Sequence, residues 1–270
     1  MLVPITALVL GVALTIGLVA NRWVRPFAET EVQGVKLELL VSPLLTLTVL
    51  LLSFVLVQAF GSYNRVRAAE SEEAGKLVVE YRTAGYLPEE AALPIQTALV
   101  CYGRSVVHIE WPSLADGTDL HPIPTRWAQD VQPVLAELSF IGDTDQPYGA
   151  LLTAEKDRAE GRRKRITEAD PSVPQPVTIL MLLVSAAALT AIATFTLPYV
   201  SRTVQIGALI VMAIVFLAMQ WTIYEIDNKF DGVIQVEPTD MALLSGAMDA
   251  QFAEQHPEVS LPCDERGAPR

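Results

Sequence analysis

Residues 38–86 constrain this chain more than any other stretch. From Val41 to Phe60 the sequence VSPLLTLTVLLLSFVLVQAF carries no charge, and it runs directly into the polar GSYNRVRAAESEEAGKLVVEYRTAGY. About 20 apolar residues is the length a helix needs to cross a bilayer. No proline follows Phe60 until Pro88, and Gly61 is the one weak helix former at the junction. The pattern predicts a single helix that spans a membrane and continues into water for several turns. The competing reading is an ordinary span followed by an unrelated soluble helix.

Composition agrees with a membrane class. Of 270 residues, 51% are hydrophobic and only 19% charged, which is apolar for a soluble chain. Three more apolar runs stand at 2–20, 177–198 and 204–224, so four spans are expected. The first could be a signal peptide. It lacks a basic start, is long for such a segment, and has Leu18 where a cleavage site wants a small residue, so a retained span is favoured. The YVSRT turn at 199–203 makes the last two spans antiparallel neighbours. The division that follows is a first helix pair in 1–60 (spans 2–20 and 41–60), a soluble domain over 61–176, a second pair over 177–224 and a tail over 225–270.

Lys and Arg near span ends set orientation. One side holds Arg22, Arg25, Lys36 and Arg202; the other holds Arg65, Arg67, Lys76, Lys156, Arg158 and the run Arg162–Arg165. The second side has the excess, which places both termini and the 61–176 domain in the cytosol of a multi-pass plasma-membrane protein. On that side a disulfide between Cys101 and Cys263 is not expected. A net charge of −12 argues against nucleic acid as a partner.

The soluble part reads as helical. Ala92, Ile95, Leu99, Tyr102 and Val106 make one buried stripe over 88–111, with Trp111-Pro112 as the stop and Asp116-Gly117 as a turn. Further helices are expected at 125–139, with Pro133 inside, and at 144–168. Asp170–Pro176 reads as a stiff linker, 232–238 as one short strand, 242–255 as a last helix and the final dozen residues as frayed.

Chemistry-bearing clusters are few. His108 and Glu110 are two apart and do not share a helix face, so they do not form a metal pair. No phosphate-binding glycine loop and no nucleophile with a base at motif spacing is present, and an enzyme is not expected. Glu225, Asp227 and Asp231 after the fourth span could collect cations, Ca²⁺ in particular, although an EF-hand spacing is missing. No other cofactor is suggested. Arg162, Arg163, Lys164 and Arg165 could hold lipid headgroups or simply enforce orientation. Glu70, Glu72, Glu73 and Glu80 could face that basic helix as a solvated ion-pair layer. No charge occurs within 41–60, 177–198 or 204–224, which disfavours a proton-coupled carrier and leaves a passive pore. Ser42, Thr46, Leu50, Ser53 and Val57 share one face of the second span; by itself that stripe favours helix packing over a water path.

The passage SFVLVQAFGSYNRVRAAESEEAGKLVVEYRTAGYLP, with YGRSVVHIEWPSL, resembles the bestrophin-like domain family of bacterial membrane proteins. The matching positions are Phe60, Tyr63, Arg67, Glu73-Ala74, Tyr81-Arg82 and Glu110-Trp111-Pro112. Ile226, Asp227, Phe230, Gly232 and Pro238 resemble the family's late signature. The resemblance covers about residues 28–245. Lys229 replaces a usual proline, and Thr30-Glu31 replaces an Asn-Asp pair. Kinship with bestrophins implies an all-α fold, four membrane helices continuous with a cytosolic helical bundle. It also implies a homo-oligomer, a pentamer in that group, passing small anions through a neck lined by the second helix. Carried over residue by residue, Phe54 becomes a neck candidate, with Thr46, Leu50, Ser53 and Val57 beside it. The alternative is a non-conducting scaffold or sensor whose soluble helices bind a partner.

Overall fold

The structure is a computed structural model that describes residues 2–28, 38–117, 120–141, 146–195 and 202–270. The Thr30-Glu31 position, Lys36 and most of the YVSRT turn lie outside those residues. Nine α-helices are described: α1 (Leu2–Ala28), α2 (Glu38–Ala84), α3 (Glu89–Ser105), α4 (Trp111–Ala115), α5 (Pro122–Ile141), α6 (Gln146–Thr167), α7 (Gln175–Phe195), α8 (Arg202–Asp227) and α9 (Thr239–Gln255). The chain divides into two compact units, Met1–Gly61 with Ser172–Asp227, and Ser62–Pro171 with Asn228–Arg270. The expected single helix is present: α2 runs unbroken for 47 residues and contributes to both.

In the first unit, four helices are long and apolar enough to cross a membrane. Small residues let α1 and α7 approach closely. A Cβ on Gly17 would lie 2.5 Å from the Ala193 Cβ and 2.8 Å from the Thr190 carbonyl oxygen. The close approach is also hydrogen-bonded: the Thr190 hydroxyl donates to the Ala13 carbonyl at 3.2 Å, and the Asn21 amide to the Thr194 carbonyl at 2.7 Å. This is how membrane helices associate where lipid removes the hydrophobic drive. On α8, Gln220 donates to the Ser185 hydroxyl of α7 at 2.9 Å.

The second unit has an ordinary aqueous-type core. The stripe Ala92, Ile95, Leu99 and Tyr102 of α3, with Val106 just after it, is buried as its spacing predicts, among Leu77, Tyr81, Trp127, Val131, Leu151, Met248 and Phe252. Fully burying side chains of this size is worth about 1.5–3 kcal/mol each. At Gly103, α9 comes so near that a Cβ would stand 2.7 Å from the Ser245 Cβ.

Three local expectations change. Trp111-Pro112 does not end the helix. A π-helical turn over Val106–Glu110 lets α3 pass into α4, which continues to Ala115 before Gly117 turns the chain at φ 63°. Wider i→i+5 bonding shifts the hydrogen-bond register just before a proline that has no N–H to give. Residues 232–238 make no strand; Val236 is instead fixed by its N–H to the Lys229 carbonyl and its carbonyl to the Trp111 indole. The last residues are not frayed. The Asp264 N–H donates to the Ala268 carbonyl and the Ala268 N–H to the Asp264 carboxylate, Arg270 donates to Pro262, and Cys263 is fully buried.

Candidate functional site

On α2 two faces separate by helical spacing. Thr48, Leu52, Val55 and Ala59 form a buried stripe at i, i+4, i+7 and i+11. On the other side Thr46, Leu50, Phe54 and Val57 are exposed, Phe54 and Val57 by about 70% (71% and 69%), with Ser53 half-buried at the edge. The Thr46 hydroxyl turns back to the Ser42 carbonyl at 3.0 Å, so this face presents no uncompensated polar group there. Four of the five neck candidates therefore share an open, mainly apolar face.

In the second unit, α6 lays arginines at i, i+4 and i+7 against carboxylates of α2 and the π-turn. Arg165 bonds Glu73 at 2.7 Å and Glu110 at 2.6 Å, all three side chains having no exposure. Arg162 reaches the other Glu110 oxygen at 2.5 Å, and Arg158 reaches Glu80 at 2.5 Å. Tyr102 donates to Glu73 at 2.6 Å beneath the Arg158 guanidinium, whose centre lies 4.6 Å from the ring. Gly161 permits this closeness, since a Cβ there would sit 3.0 Å from the Glu73 Cα. Burial alone would push the Glu110 carboxyl up, but Arg165 and Arg162 outweigh it and hold it below the ordinary range. Burial also works against the Arg165 charge, and Glu73 and Glu110 more than restore it.

The expected ion-pair layer thus exists between α2 and α6, but its centre is buried, not solvated. Lys164 with Glu72, Lys76 with Asp157, and Arg65 with Glu168 are solvent-facing pairs at its rim. Of the four residues considered for headgroups, Arg165 and Arg162 are committed to Glu73 and Glu110, and Lys164 is bonded to Glu72; Arg163 stays exposed. Nearby, Glu70 is buried and accepts the Met241 N–H at 2.6 Å, capping α9 in place of a conventional cap residue.

Of the acidic trio, Glu225 and Asp227 close α8 and Asp231 follows it, each with a partner of its own. Asp227 is buried and accepts from the Ser172 N–H, the Ser172 hydroxyl and the Val173 N–H, at 2.8, 2.6 and 3.2 Å. Glu225 accepts from the Trp221 indole, and Asp231 from the Gly232 N–H. Asp227 so acts as a clamp on the segment entering α7. His108, His121, Asp116 and Asp264 line an open cleft of about 470 Å³. Among the described residues, no three His, Cys, Asp or Glu side chains are placed to hold a metal ion. The donor sets therefore do not fit Ca²⁺.

Sequence reasoning missed one bond outright. Cys101 and Cys263 are disulfide-linked, with Cα atoms 5.8 Å apart. The expectation against it rested on compartment alone, and the packing of the last segment on α3 is what brings the two together.

Comparison with known proteins gives a consistent result. A search of curated proteins finds no match. Two solved structures of a bacterial bestrophin homologue from Klebsiella pneumoniae, each with one substitution, share the fold at 13% identity. Their TM-scores are 0.68 and 0.69, covering 94% and 96% of this chain and 98% and 100% of theirs. Three residues that carry the resemblance, Glu73, Glu110 and Trp111, meet in the buried layer, and Phe230 packs edge-on against Trp111 at 5.1 Å. The model of the bestrophin-like domain matches residues 6–241; the chain is a member of the bestrophin-like domain family.

Proposed function

We propose that the chain forms a passive, anion-preferring pore as a ring of identical subunits, pentameric as in bestrophins, with α2 lining an apolar neck. The observation that carries this reading is the open face of α2: Leu50, Phe54 and Val57 lie uncovered opposite a fully packed stripe. A ring would turn that face to its axis, where an apolar constriction can control wetting. The spans carry no charge over 41–60, 177–198 and 204–224, in keeping with passive flow. The lysine and arginine asymmetry puts the termini and the helical unit in the cytosol of a bacterial cell. Arg163, exposed on α6, is the residue left for anionic headgroups. No step in this reading involves catalysis or a bound cofactor.

The scaffold reading would draw support from a large apolar patch on 88–111 or 125–139. Among the described residues, no large aliphatic or aromatic side chain there is exposed.

The mass of the detergent-solubilised complex, corrected for bound detergent, is the first test. A closed ring supports the pore, and a monomer or dimer across several mild detergents overturns it. In chloride-loaded liposomes, Phe54→Ala should raise the leak; unchanged flux in an active preparation removes Phe54 from the neck.

A further inference from the structure

The last segment is a preformed loop. Pro262 accepts from the Arg270 N–H, Cys263 pairs across to Pro269, and the Asp264 carboxylate accepts from the Arg266 and Ala268 N–H groups at 2.9 and 2.8 Å. Those bonds hold the Asp264 carboxyl below its ordinary range, the Ala268 N–H foremost. Gly267, at φ 83°, closes the turn. Its backbone lies so close to α3 that a Cβ would come within 2.3 Å of the Ser105 nitrogen and 2.8 Å of the Cys101 carbonyl oxygen.

Apolar packing of Val259 and Leu261 against the core and two side-chain hydrogen bonds hold this segment to the helices. The Trp127 indole of α5 donates to the Gly267 carbonyl at 2.7 Å, and Arg104 donates to the Asp264 carbonyl at 2.9 Å. A further tie is covalent, between Cys101 on α3 and Cys263 in the loop. These are the only two cysteines in the chain, so the pair has two states and no competing partner. The family match ends at residue 241, so the loop lies outside it.

We propose that Cys101 and Cys263 are a reversible thiol–disulfide site that latches residues 257–270 onto α3 and α5, and that a cellular dithiol is its reactant. The inference rests on the cytosolic orientation proposed above, since a disulfide in a reducing compartment is usually transient or redox-sensing. Both cysteines are fully buried, so exchange proceeds from a locally opened loop. A thiolate of the dithiol attacks one sulfur, the Cys101–Cys263 bond breaks and a mixed disulfide forms, and the released thiolate takes a proton. The second thiol then displaces the remaining cysteine. Two electrons and two protons pass to the cysteines, and the reactant leaves as a disulfide. Oxidation by a disulfide of the same class reverses each step.

Right-side-out membrane vesicles carrying the full chain test this, with thiols trapped by a maleimide-linked polymer that shifts the band once per free cysteine. A membrane-permeant dithiol should produce the doubly shifted band and an impermeant charged phosphine should not. Removing the permeant dithiol and adding oxidised dithiol should restore the unshifted band. If the impermeant reductant alone suffices, the latch stands and the orientation falls. If neither reductant opens the bond before denaturation, or if no oxidised form is ever recovered, the latch is overturned. Hydrogen exchange on the purified chain supplies the second readout. Reduction should speed exchange at Asp264, Gly267, Ala268 and Arg270 at least tenfold while α3 amides stay protected; equal protection in both states overturns the proposal. Gly267→Ala, with both cysteines intact, should loosen the same amides without freeing a thiol.

Discussion

The two units reach close packing by opposite means. Where α1 meets α7, the contact is made of Gly17, Ala193, Thr190 and Thr194, with hydroxyl and amide groups bonded to neighbouring backbone. Where α6 meets α2 and the π-turn, the contact is made of three arginines and three glutamates with almost no exposure. Lipid offers no hydrophobic drive between helices, so the first contact depends on closeness and is intolerant of volume. Water offers that drive in the second unit, so burying six charges there is a cost set against it, offset only while every partner is in place. The first contact should therefore fail by crowding and the second by losing one charge.

The largest effect tests the second half of that contrast. Arg165→Met removes the shared partner of Glu73 and Glu110 and leaves both carboxylates buried. Breaking a buried pair in this way costs about 3–5 kcal/mol. Denaturant titration of the purified protein, followed by Trp111 and Trp127 fluorescence, should show that loss. Arg165→Lys should recover part of it, because it restores charge without the fork that grips two carboxylates. A loss below about 1 kcal/mol for Arg165→Met would mean that the layer is wet.

Crowding comes next. Gly17→Ala puts a methyl group 2.5 Å from the Ala193 Cβ, so the helices must part, at about 1–3 kcal/mol. Ala193→Gly in the same chain should relieve only part of that, because the Thr190 carbonyl oxygen remains 2.8 Å from the new methyl. Thermal inactivation midpoints in a single detergent would show both, and a neutral Gly17→Ala would break the comparison. Ser185→Ala, which takes away the Gln220 bond, should cost less, about 0.6–2 kcal/mol.

How far these features were legible follows the same physics. Apolar length made the spans readable, and the lack of proline between Phe60 and Pro88 made the continuation of α2 readable, because one short segment carries the whole signal. The facing of α2 and α6 was also readable, from acids on one helix and bases on the other. Its burial was not, although a signal existed: Arg158, Arg162 and Arg165 fall at i, i+4 and i+7, and Glu73 and Glu80 at i, i+7, so each set shares a face. A solvated face has the same spacing, and only the third element bringing Glu110 and Tyr102 over them excludes water. Asp227 looked like a cation ligand because an acidic residue after a span is the same letter whether it meets an ion or the N–H groups of Ser172 and Val173. The Cys101–Cys263 bond joins positions 162 residues apart, beyond any local pattern. For the open stripe of α2 the sequence shows which residues share the face.

The smallest effect separates the rim of the charge layer from its centre. Glu168 bonds Arg65 at 2.8 Å and the Ser62 hydroxyl at 2.9 Å, at a partly exposed position. The Arg65 bond, with help from Ser62, holds its carboxyl below the ordinary value of 4.5. A carboxylate lowered in the folded state contributes stability that is complete above about pH 4.5, its unfolded value, and disappears as pH falls through the folded value. Glu168→Gln should therefore cost less than about 1 kcal/mol near neutral pH, because exposed pairs are worth little. The gap between wild type and variant should close as the pH drops below 4.5, and should narrow in 0.5 M salt by screening (about 4 Å Debye length). Arg165→Met, whose charges lie out of reach of that screening, should keep its deficit in the same salt. If salt erased both deficits alike, the centre and the rim of the layer would be one solvated surface, and the contrast between the two units would reduce to the choice of side chains.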